Sequence, residues 1–169
     1  MPNFMEIKGP VVANTVYADG VLVAKDTAFT LPGIEFMTAD VQAMGNMTVP
    51  LVGLLENLEL AVTKIGLDKG LSRLNRLEKQ NLEFRWVQNV VKADGSQSVE
   101  GCKAFVRTMP GSVPEIGVEV GSAPENENTY NVSRMQIYVG GDEFLCVDRL
   151  SQVLRINGKD YMKKITNLL

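Results

Sequence analysis

The side chains that could do chemistry in this chain are few, and none of them is a histidine. Without imidazole the chain has no Ser-His-Asp or Cys-His catalysis, no histidine general acid or base, and no zinc site that uses imidazole. Its two cysteines, Cys102 and Cys146, are too few for an all-cysteine zinc site and are not spaced as a CxxC redox pair. A disulfide between them stays open, but we expect two small hydrophobic side chains within a sheet.

Carboxylates are the remaining candidates for catalysis. Asp142, Glu143 and Asp148 fall near one predicted hairpin, and we expect solvated turn residues there. A carboxylate pair meets in space and not in sequence, so an enzyme that uses carboxylates alone stays open as an alternative. Residues 66–72 lack the spacing and the Lys-Ser/Thr end of a P-loop, and no G-x-S-x-G motif occurs. The prediction is a protein that is not an enzyme and that has no cofactor or metal site.

Length and charge limit the class of protein further. The 169 residues predict one domain over residues 1–169. The formal net charge of −3 disfavours a nucleic-acid binder that grips phosphates, because such proteins are normally basic. The longest apolar stretch, residues 49–55, is far shorter than the roughly 20 residues of a membrane span. The N-terminus lacks the features of a signal peptide, so we expect synthesis in a reducing cytoplasm and no membrane binding.

Two-residue turn signals predict four hairpins along the chain. Asp19-Gly20, Asp94-Gly95, Gly140-Gly141 and Asn157-Gly158 each separate strand-like runs, and such dipeptides accept the positive φ angles of tight turns. The strands predicted around the first three turns are 11–17 with 21–25, 82–92 with 99–107, and 131–139 with 144–156, the last broken near Ser151.

The remaining segments predict two more strands and two helices. Residues 34–42 and 56–64 fit strands, and the glycines and the proline between them argue against a strand there. Leucines at 67, 71, 74 and 77 recur at helical spacing, and a short helix is predicted to close the chain at 160–168. The predicted fold is mainly β: an antiparallel β-barrel or sandwich with one flanking α-helix and a short C-terminal helix.

The segment between residues 44 and 55 is the first candidate binding surface. A contiguous apolar patch at the end of a sheet usually marks an interface, although the segment could also fold back into the core. The candidate contact residues are Met44, Met47, Val49, Pro50, Leu51, Val52, Leu54 and Leu55.

Charge is distributed in blocks of opposite sign. Residues 71–110 carry a net charge of +3, and residues 111–150 carry −5. Within the second block, residues 109–128 contain four glutamates and no basic residue, which fits either a solvated loop or a contact surface. Opposite blocks can satisfy each other within the fold, or they can suit head-to-tail contact between identical copies.

Taken together, these segments resemble the major tail tube protein of contractile-tailed bacteriophages and phage-tail-like bacteriocins. The resemblance runs from the hairpin at Asp19-Gly20 through LPGIEFMTADVQAMGNMTVPLVGLLENLELAVTKIG, the leucine-rich helix and the long hairpin over 82–107. The clearest feature is the C-terminal VLRINGKDYMKKITNLL, with a strand, an Asn-Gly-x-Asp turn and a terminal helix. The order and length of the segments, over most of the chain, carry the resemblance.

The resemblance implies a structural subunit, with hexameric rings that stack into a hollow tube inside a contractile sheath. Two long hairpins per subunit would line the lumen, here 34–42 with 56–64 and 82–92 with 99–107, and the segment from 44 to 55 would reach the next ring. The implied partners are further copies of the chain, the sheath, tape-measure and baseplate proteins, and DNA in transit without sequence-specific binding. The implied location is a virion tail or phage-tail-like particle, made in the bacterial host cytoplasm.

A conduit must not hold what passes through it. DNA binding strengthens with each phosphate that is neutralised, so an acidic or neutral lumen is predicted. The lumen candidates are Glu35, Asp40, Glu56 and Glu59. A shift of one residue in register would turn every side chain to the other face, and Arg85, Lys103 and Arg107 would count against an acidic lumen if they faced inward.

A closed β-barrel that carries a small ligand is the alternative function. It would use the same hairpins around an internal pocket lined by aromatic residues, and it would remain a monomer. The sequence also leaves open whether a tube would serve a DNA-filled virion or a DNA-free bacteriocin particle.

Overall fold

Strands dominate the computed structural model, which describes residues 6–109 and 111–169. Two short helices, α1 (Lys69–Leu74) and α2 (Lys163–Thr166), accompany the strands. The strands are β1 (Ile7–Ala18), β2 (Val21–Lys25), β3 (Ala28–Thr30), β4 (Phe36–Gln42), β5 (Asn46–Leu55), β6 (Glu59–Ile65), β7 (Gln80–Val91), β8 (Gln97–Thr108), β9 (Glu125–Val139), β10 (Asp142–Asp148), β11 (Val153–Ile156) and β12 (Lys159–Asp160).

Two layers share one long strand. The main sheet has the order β12-β11-β10-β9-β8-β7-β1-β2, and every pairing in it is antiparallel. The first half of β9 pairs with β6, which pairs in turn with β3, while the second half pairs with β8 and β10. The fold is therefore mainly β and antiparallel, as predicted, and it is of the sandwich kind, because the main sheet stays open at β2 and β12.

The core lies between the two layers. Leu60 and Val62 of β6 alternate with less buried neighbours and belong to the same buried cluster as Leu82 and Phe84 of β7. Phe29 of β3 packs on Phe84 with ring centroids 4.6 Å apart. Side chains thus fill the space that an internal ligand pocket of a carrier would occupy.

The predicted hairpin turns are all present. Asp19 (φ 49°) and Gly20 (φ 82°) join β1 to β2, and the other three dipeptides join β7 to β8, β9 to β10, and β11 to β12. The predicted break near Ser151 is also confirmed, since β10 ends at Asp148 and β11 begins at Val153. The terminal helix is confirmed but shorter than predicted, because β12 uses Lys159 and Asp160.

Only two of the four leucines predicted to lie on one helix do so. Leu71 and Leu74 are buried on α1, whereas Leu67 and Leu77 lie outside this six-residue helix and are 57% and 58% exposed. Asp68 ends the helix on its N-terminal side as a cap, accepting a hydrogen bond from the Leu71 N–H at 2.8 Å. Gly70 is required where it stands, because a Cβ there would collide with the Val23 carbonyl oxygen of β2.

A buried polar group ties α1 to the second layer. The Tyr130 hydroxyl donates to the Leu74 carbonyl oxygen at 2.6 Å and accepts from the Asn128 amide at 3.2 Å. Burial raises the pKa of Tyr130 to about 12, since the charged phenolate would lose its hydration. Tyr130 therefore stays neutral and holds the end of the helix on β9.

The strand pairing predicted for residues 34–42 and 56–64 is wrong. Strand β4 pairs with β5 in a separate two-stranded sheet, and β6 pairs with β3 and β9. The segment from 44 to 55, predicted as a loop, is mostly the strand β5. Both strands of a two-stranded sheet are edge strands, so the Pro50 nitrogen, which carries no hydrogen, can face away from β4. Gly53 (φ 100°) lies on β5 opposite the point where the register shifts between Phe36 and Thr38.

The two cysteines behave as expected. Cys102 and Cys146 are free, buried thiols on β8 and β10. Burial raises the pKa of Cys102, which keeps its thiol protonated and unreactive. In the part of the chain that the structure describes, no helix is long and apolar enough to cross a membrane.

Candidate assembly surfaces

The β4–β5 hairpin projects from the rest of the molecule. Its register runs from Phe36 opposite Leu55 to Gln42 opposite Asn46, and the turn at Met44 and Gly45 uses positive φ angles of 52° and 119°. Phe36 and Leu55, at the base, pack against the core, whereas the outer half is exposed. An isolated two-stranded hairpin is marginally stable in water, so this element calls for a partner surface.

The outer half of the hairpin is amphipathic. Residues directly opposite in an antiparallel pair share a face. One face carries the polar residues Thr38, Asp40, Gln42, Asn46 and Thr48, together with Pro50. The other face is apolar and carries Ala39, Val41, Met47 and Val49. One hairpin thus offers one side to a protein surface and the other to water.

Two contacts hold the base of the hairpin in place. The Arg149 guanidinium donates to the carbonyl oxygens of Leu55 and Glu56 at 3.1 and 3.2 Å. On the other side, a Cβ at Gly53 would lie 2.7 Å from the Ile165 side chain of α2, and the φ of 100° at this position favours glycine. The direction in which the hairpin projects is therefore set by the β10–β11 turn and by α2.

The predicted contact segment falls on this hairpin. Met44, Met47, Pro50, Val52 and Leu54 are exposed. Val49, Leu51 and Leu55 are half-buried. The segment does not fold back into the core beyond its base, and its contact role stays a prediction.

The four lumen candidates are exposed but do not share one hairpin. Asp40 lies on the polar face of the outer hairpin and accepts a hydrogen bond from the Thr48 hydroxyl at 3.0 Å. Glu35 and Glu56 lie at the base, where the Glu56 N–H donates to the Glu35 carbonyl oxygen at 2.8 Å. Glu59 belongs to β6 in the second layer. Sequence reasoning grouped them because it paired β4 with β6 instead of β5.

The long hairpin predicted over 82–92 and 99–107 is present as β7–β8, which spans Gln80–Val91 and Gln97–Thr108 in unbroken register. Its inner end belongs to the core, whereas at its outer end β1 accompanies β7 as far as Val91 but β9 does not accompany β8. Strand β9 covers β8 only from Cys102 onward, and β2 covers β1 only from Thr15 onward. Residues 97–100 and 7–13 therefore present uncovered strand edges, and such edges are sites for pairing with another chain.

Charged residues collect on the face of the main sheet that points away from the core. Arg85 lies opposite Lys103, and Arg107 lies opposite both Asn81 and Arg134. The sequence singled out Arg85, Lys103 and Arg107, but only the register shows that Arg134 joins them. The Arg85 guanidinium contacts Glu83 at 2.6 Å and lies over the Tyr17 ring, and this ion pair raises the pKa of Arg85.

Two of the three carboxylates that were candidates for catalysis, Glu143 and Asp148, have structural partners. Glu143 forms an ion pair with Arg155 at 3.0 Å. Asp148 accepts from the N–H groups of Leu150 and Ser151 at 3.1 Å, which closes the turn after β10. Within residues 6–109 and 111–169 no group of acidic or cysteine side chains could hold a metal ion. The polar chemistry of the molecule thus stabilises turns and surfaces.

The exposed amphipathic hairpin and the uncovered strand edges are surfaces of the kind through which a protein contacts another chain. The chain belongs to the phage tail tube protein FII family, whose model it matches over residues 11–169. It is therefore a structural tail tube subunit. The family match favours this function over that of a ligand carrier. No curated protein matched the chain in sequence.

Two solved structures are similar to this chain, and the first shares its fold. One similar chain comes from the PVC sheath–tube complex of an extracellular contractile injection system in its extended state, with a TM-score of 0.51 and 15% identity, covering 76% of this chain and 90% of the other. A second comes from the PVC sheath/tube terminator in the extended state, with a TM-score of 0.47 and 14% identity, covering 76% and 95%. At such identities the likeness concerns the fold alone.

Proposed function

We propose that this tail tube subunit forms hexameric rings that stack into a hollow tube. The observation that carries the proposal is the projecting β4–β5 hairpin, which is apolar on one face and polar on the other. Burying the apolar face on a neighbouring copy would remove it from water, and the polar face would line a lumen. A ring closes when in-plane contacts run head to tail, and axial contacts that do not close extend the rings into a filament.

Ring closure also fits the uncovered edges of β1 and β8. A neighbouring copy that pairs with residues 97–100 or 7–13 would remove an aggregation hazard, as the closure of a barrel does. The two long hairpins proposed to line the lumen are β4–β5 and β7–β8. Asp40 is then the lumen candidate with the best support, since its face of the hairpin is polar apart from Pro50.

We propose that the tube is the inner part of a contractile particle and has no enzymatic activity. The sheath–tube complex among the similar structures supports a sheath as a partner. A tape-measure protein inside the tube, a baseplate that starts it, and DNA that passes without being bound complete the proposed partners. The subunit would be made in the host cytoplasm and would end in a virion tail or a phage-tail-like particle.

Electron microscopy of the purified, concentrated chain tests this function. The expected result is rings or hollow tubes without any additive. A uniform field of monomers, both for the chain alone and for the chain mixed with particle baseplates, would contradict the proposal. The experiment with baseplates is needed because tube assembly can require a nucleating structure.

The two faces of the β4–β5 hairpin provide a matched pair of variants. Val41→Asp/Met47→Asp places two charges on the apolar face, and we expect it to abolish tube formation. Gln42→Asp/Asn46→Asp places the same two charges on a directly opposite pair of the polar face of the same strands, and tubes should still form. Circular dichroism checks that both variants fold. Tubes from the first variant, or their loss in the second alone, would remove the assigned orientation of the hairpin.

A further inference from the structure

Two arginines face each other across neighbouring strands of the main sheet. Arg107 of β8 and Arg134 of β9 are direct partners in the register. Like charges at directly opposite positions destabilise a sheet unless something neutralises them. The nearest carboxylate to Arg134 is Asp148, at 3.9 Å between Nε and Oδ2. Arg107 forms no ion pair with any residue of the described ranges, and its Nε is buried without a hydrogen-bond partner.

The two arginines lie in a surface concavity of about 680 Å³. Two carboxylates also line it, but both are already engaged: Asp19 pairs with Arg76 at 2.6 Å, and Glu83 pairs with Arg85 at 2.6 Å. The Arg76 guanidinium and a hydrogen bond from the Asn81 N–H hold the pKa of Asp19 below its usual value, so it remains charged and committed to those partners. The charges in the concavity that lack a close ion-pair partner are therefore positive.

The opposite charge lies unpaired elsewhere on the same chain. Glu115, Glu119, Glu125 and Glu127 are all exposed and form no ion pair within the part of the chain that the structure describes. We call residues 115–127 the acidic segment. Glu125 and Glu127 precede Arg134 on β9 itself, so at about 3.3 Å per residue they lie roughly 20–30 Å from it. These two carboxylates cannot reach the concavity of their own chain.

We propose that the acidic segment of a neighbouring copy docks in the concavity at Arg107 and Arg134. The inference rests on the proposed function only in requiring that copies of the chain meet. Carboxylates of the neighbour would remove the repulsion between the two arginines, and a guanidinium can hold a carboxylate with two parallel hydrogen bonds. The contact joins two different surfaces, so it runs head to tail, as in a ring or a stack. Charge complementarity would also set the register of the copies.

Two charge-reversed variants test this pairing. The concavity variant is Arg107→Glu/Arg134→Glu, and the segment variant is Glu125→Lys/Glu127→Lys. Either variant by itself would place like charges in contact. We expect the association constant of either variant to fall by at least about 100-fold. Mixed in equal amounts, the two variants match at every contact, so association should return. Lys69→Glu/Lys79→Glu carries the same change in net charge as the concavity variant and should associate like the unmodified chain.

Sedimentation velocity detects oligomers of any size, and electron microscopy shows whether the oligomers are tubes. Association of the unmodified chain without tubes would support the pairing and count against the proposed ring and tube. A chain that stays monomeric at the highest soluble concentration would overturn the pairing, as would normal association of either variant alone or no recovery in the mixture. If the concavity variant fails to fold by circular dichroism, Arg107→Gln/Arg134→Gln replaces it and should also weaken association.

A nucleic-acid phosphate is the competing occupant of the two arginines. Binding of single- and double-stranded DNA by the unmodified and concavity variants distinguishes it. DNA binding that is lost in the concavity variant while its self-association stays intact would overturn the pairing with the acidic segment. Self-association that weakens as salt is raised, with no DNA binding by either protein, is the expected result.

Discussion

The Tyr130 hydroxyl binds the C-terminal end of α1. Its hydrogen bond to the Leu74 carbonyl oxygen satisfies a group at the C-terminal end of the helix, which has no partner within the helix. Gln80 also reaches that carbonyl, at 3.3 Å. The helix is therefore attached to both β9 and the start of β7 through a single oxygen atom.

We predict that Tyr130→Phe lowers the free energy of unfolding by about 1–2 kcal/mol, because a buried hydrogen bond is lost. The variant should also change the response to alkali. The pKa of about 12 in the fold lies above that of an unfolded tyrosine, near 10, so the neutral phenol stabilises the fold. That stabilisation is fully present below about pH 10 and is lost as the pH rises towards 12.

Urea unfolding at pH 7 and at several points between pH 9 and pH 12 measures both effects. The steepness of the alkaline loss should decrease in Tyr130→Phe. Tyr161→Phe removes the hydroxyl of an exposed ring instead, and it should leave the free energy of unfolding at pH 7 unchanged. An unchanged free energy of unfolding at pH 7 would contradict the role assigned to the hydroxyl.

At the scale of elements, the β4–β5 hairpin depends on its base. We predict that Arg149→Ala leaves the unfolding free energy within about 0.5 kcal/mol, because Arg149 is exposed and lies away from the core. Assembly should nevertheless weaken, since the hairpin loses the two hydrogen bonds that set its direction. Thermal unfolding and sedimentation velocity measure the two quantities.

Arg149→Lys is the informative companion to this variant. Lysine keeps the charge but cannot hold two carbonyl oxygens with a planar fork, so it should assemble as poorly as the alanine variant. Full assembly by the lysine variant would mean that charge, and not the direction of the hairpin, is what Arg149 contributes.

The elements also differ in how well local sequence predicted them. Asp19-Gly20 and the other turn dipeptides identified their hairpins because a two-residue turn depends only on backbone angles within the dipeptide. The pairing of β4 was predicted wrongly, since Pro50 and Gly53 are poor residues for an interior strand but acceptable ones at an edge. Whether a strand is an edge is a property of its neighbours and not of its sequence.

At the scale of the whole molecule, assembly should change the exposure of the uncovered edges. We predict that the backbone N–H groups of residues 97–100 and 7–13 that point away from β7 exchange hydrogen quickly in the monomer and slowly in the assembled form, because a neighbouring strand would bind them. Residues 102–108 of β8 are already paired on both sides and should exchange slowly in both forms.

Hydrogen–deuterium exchange with mass spectrometry on monomers and on pelleted tubes measures this difference. Protection confined to the β4–β5 hairpin, with both edges still exchanging quickly, would mean that copies meet through the hairpin alone. Such a pattern would contradict ring closure by strand pairing.

The sequence by itself determined the class of fold, the hairpin turns, the absence of histidine chemistry, and the resemblance to tail tube proteins that the family match later established. These depend on local backbone preferences, on composition and on the order of segments. The tertiary structure alone decided that β4 pairs with β5, that Arg107 faces Arg134, and that Gly70 must be a glycine beside β2. Each of these depends on strand register and on close approach between distant segments, and a one-residue shift would reverse them.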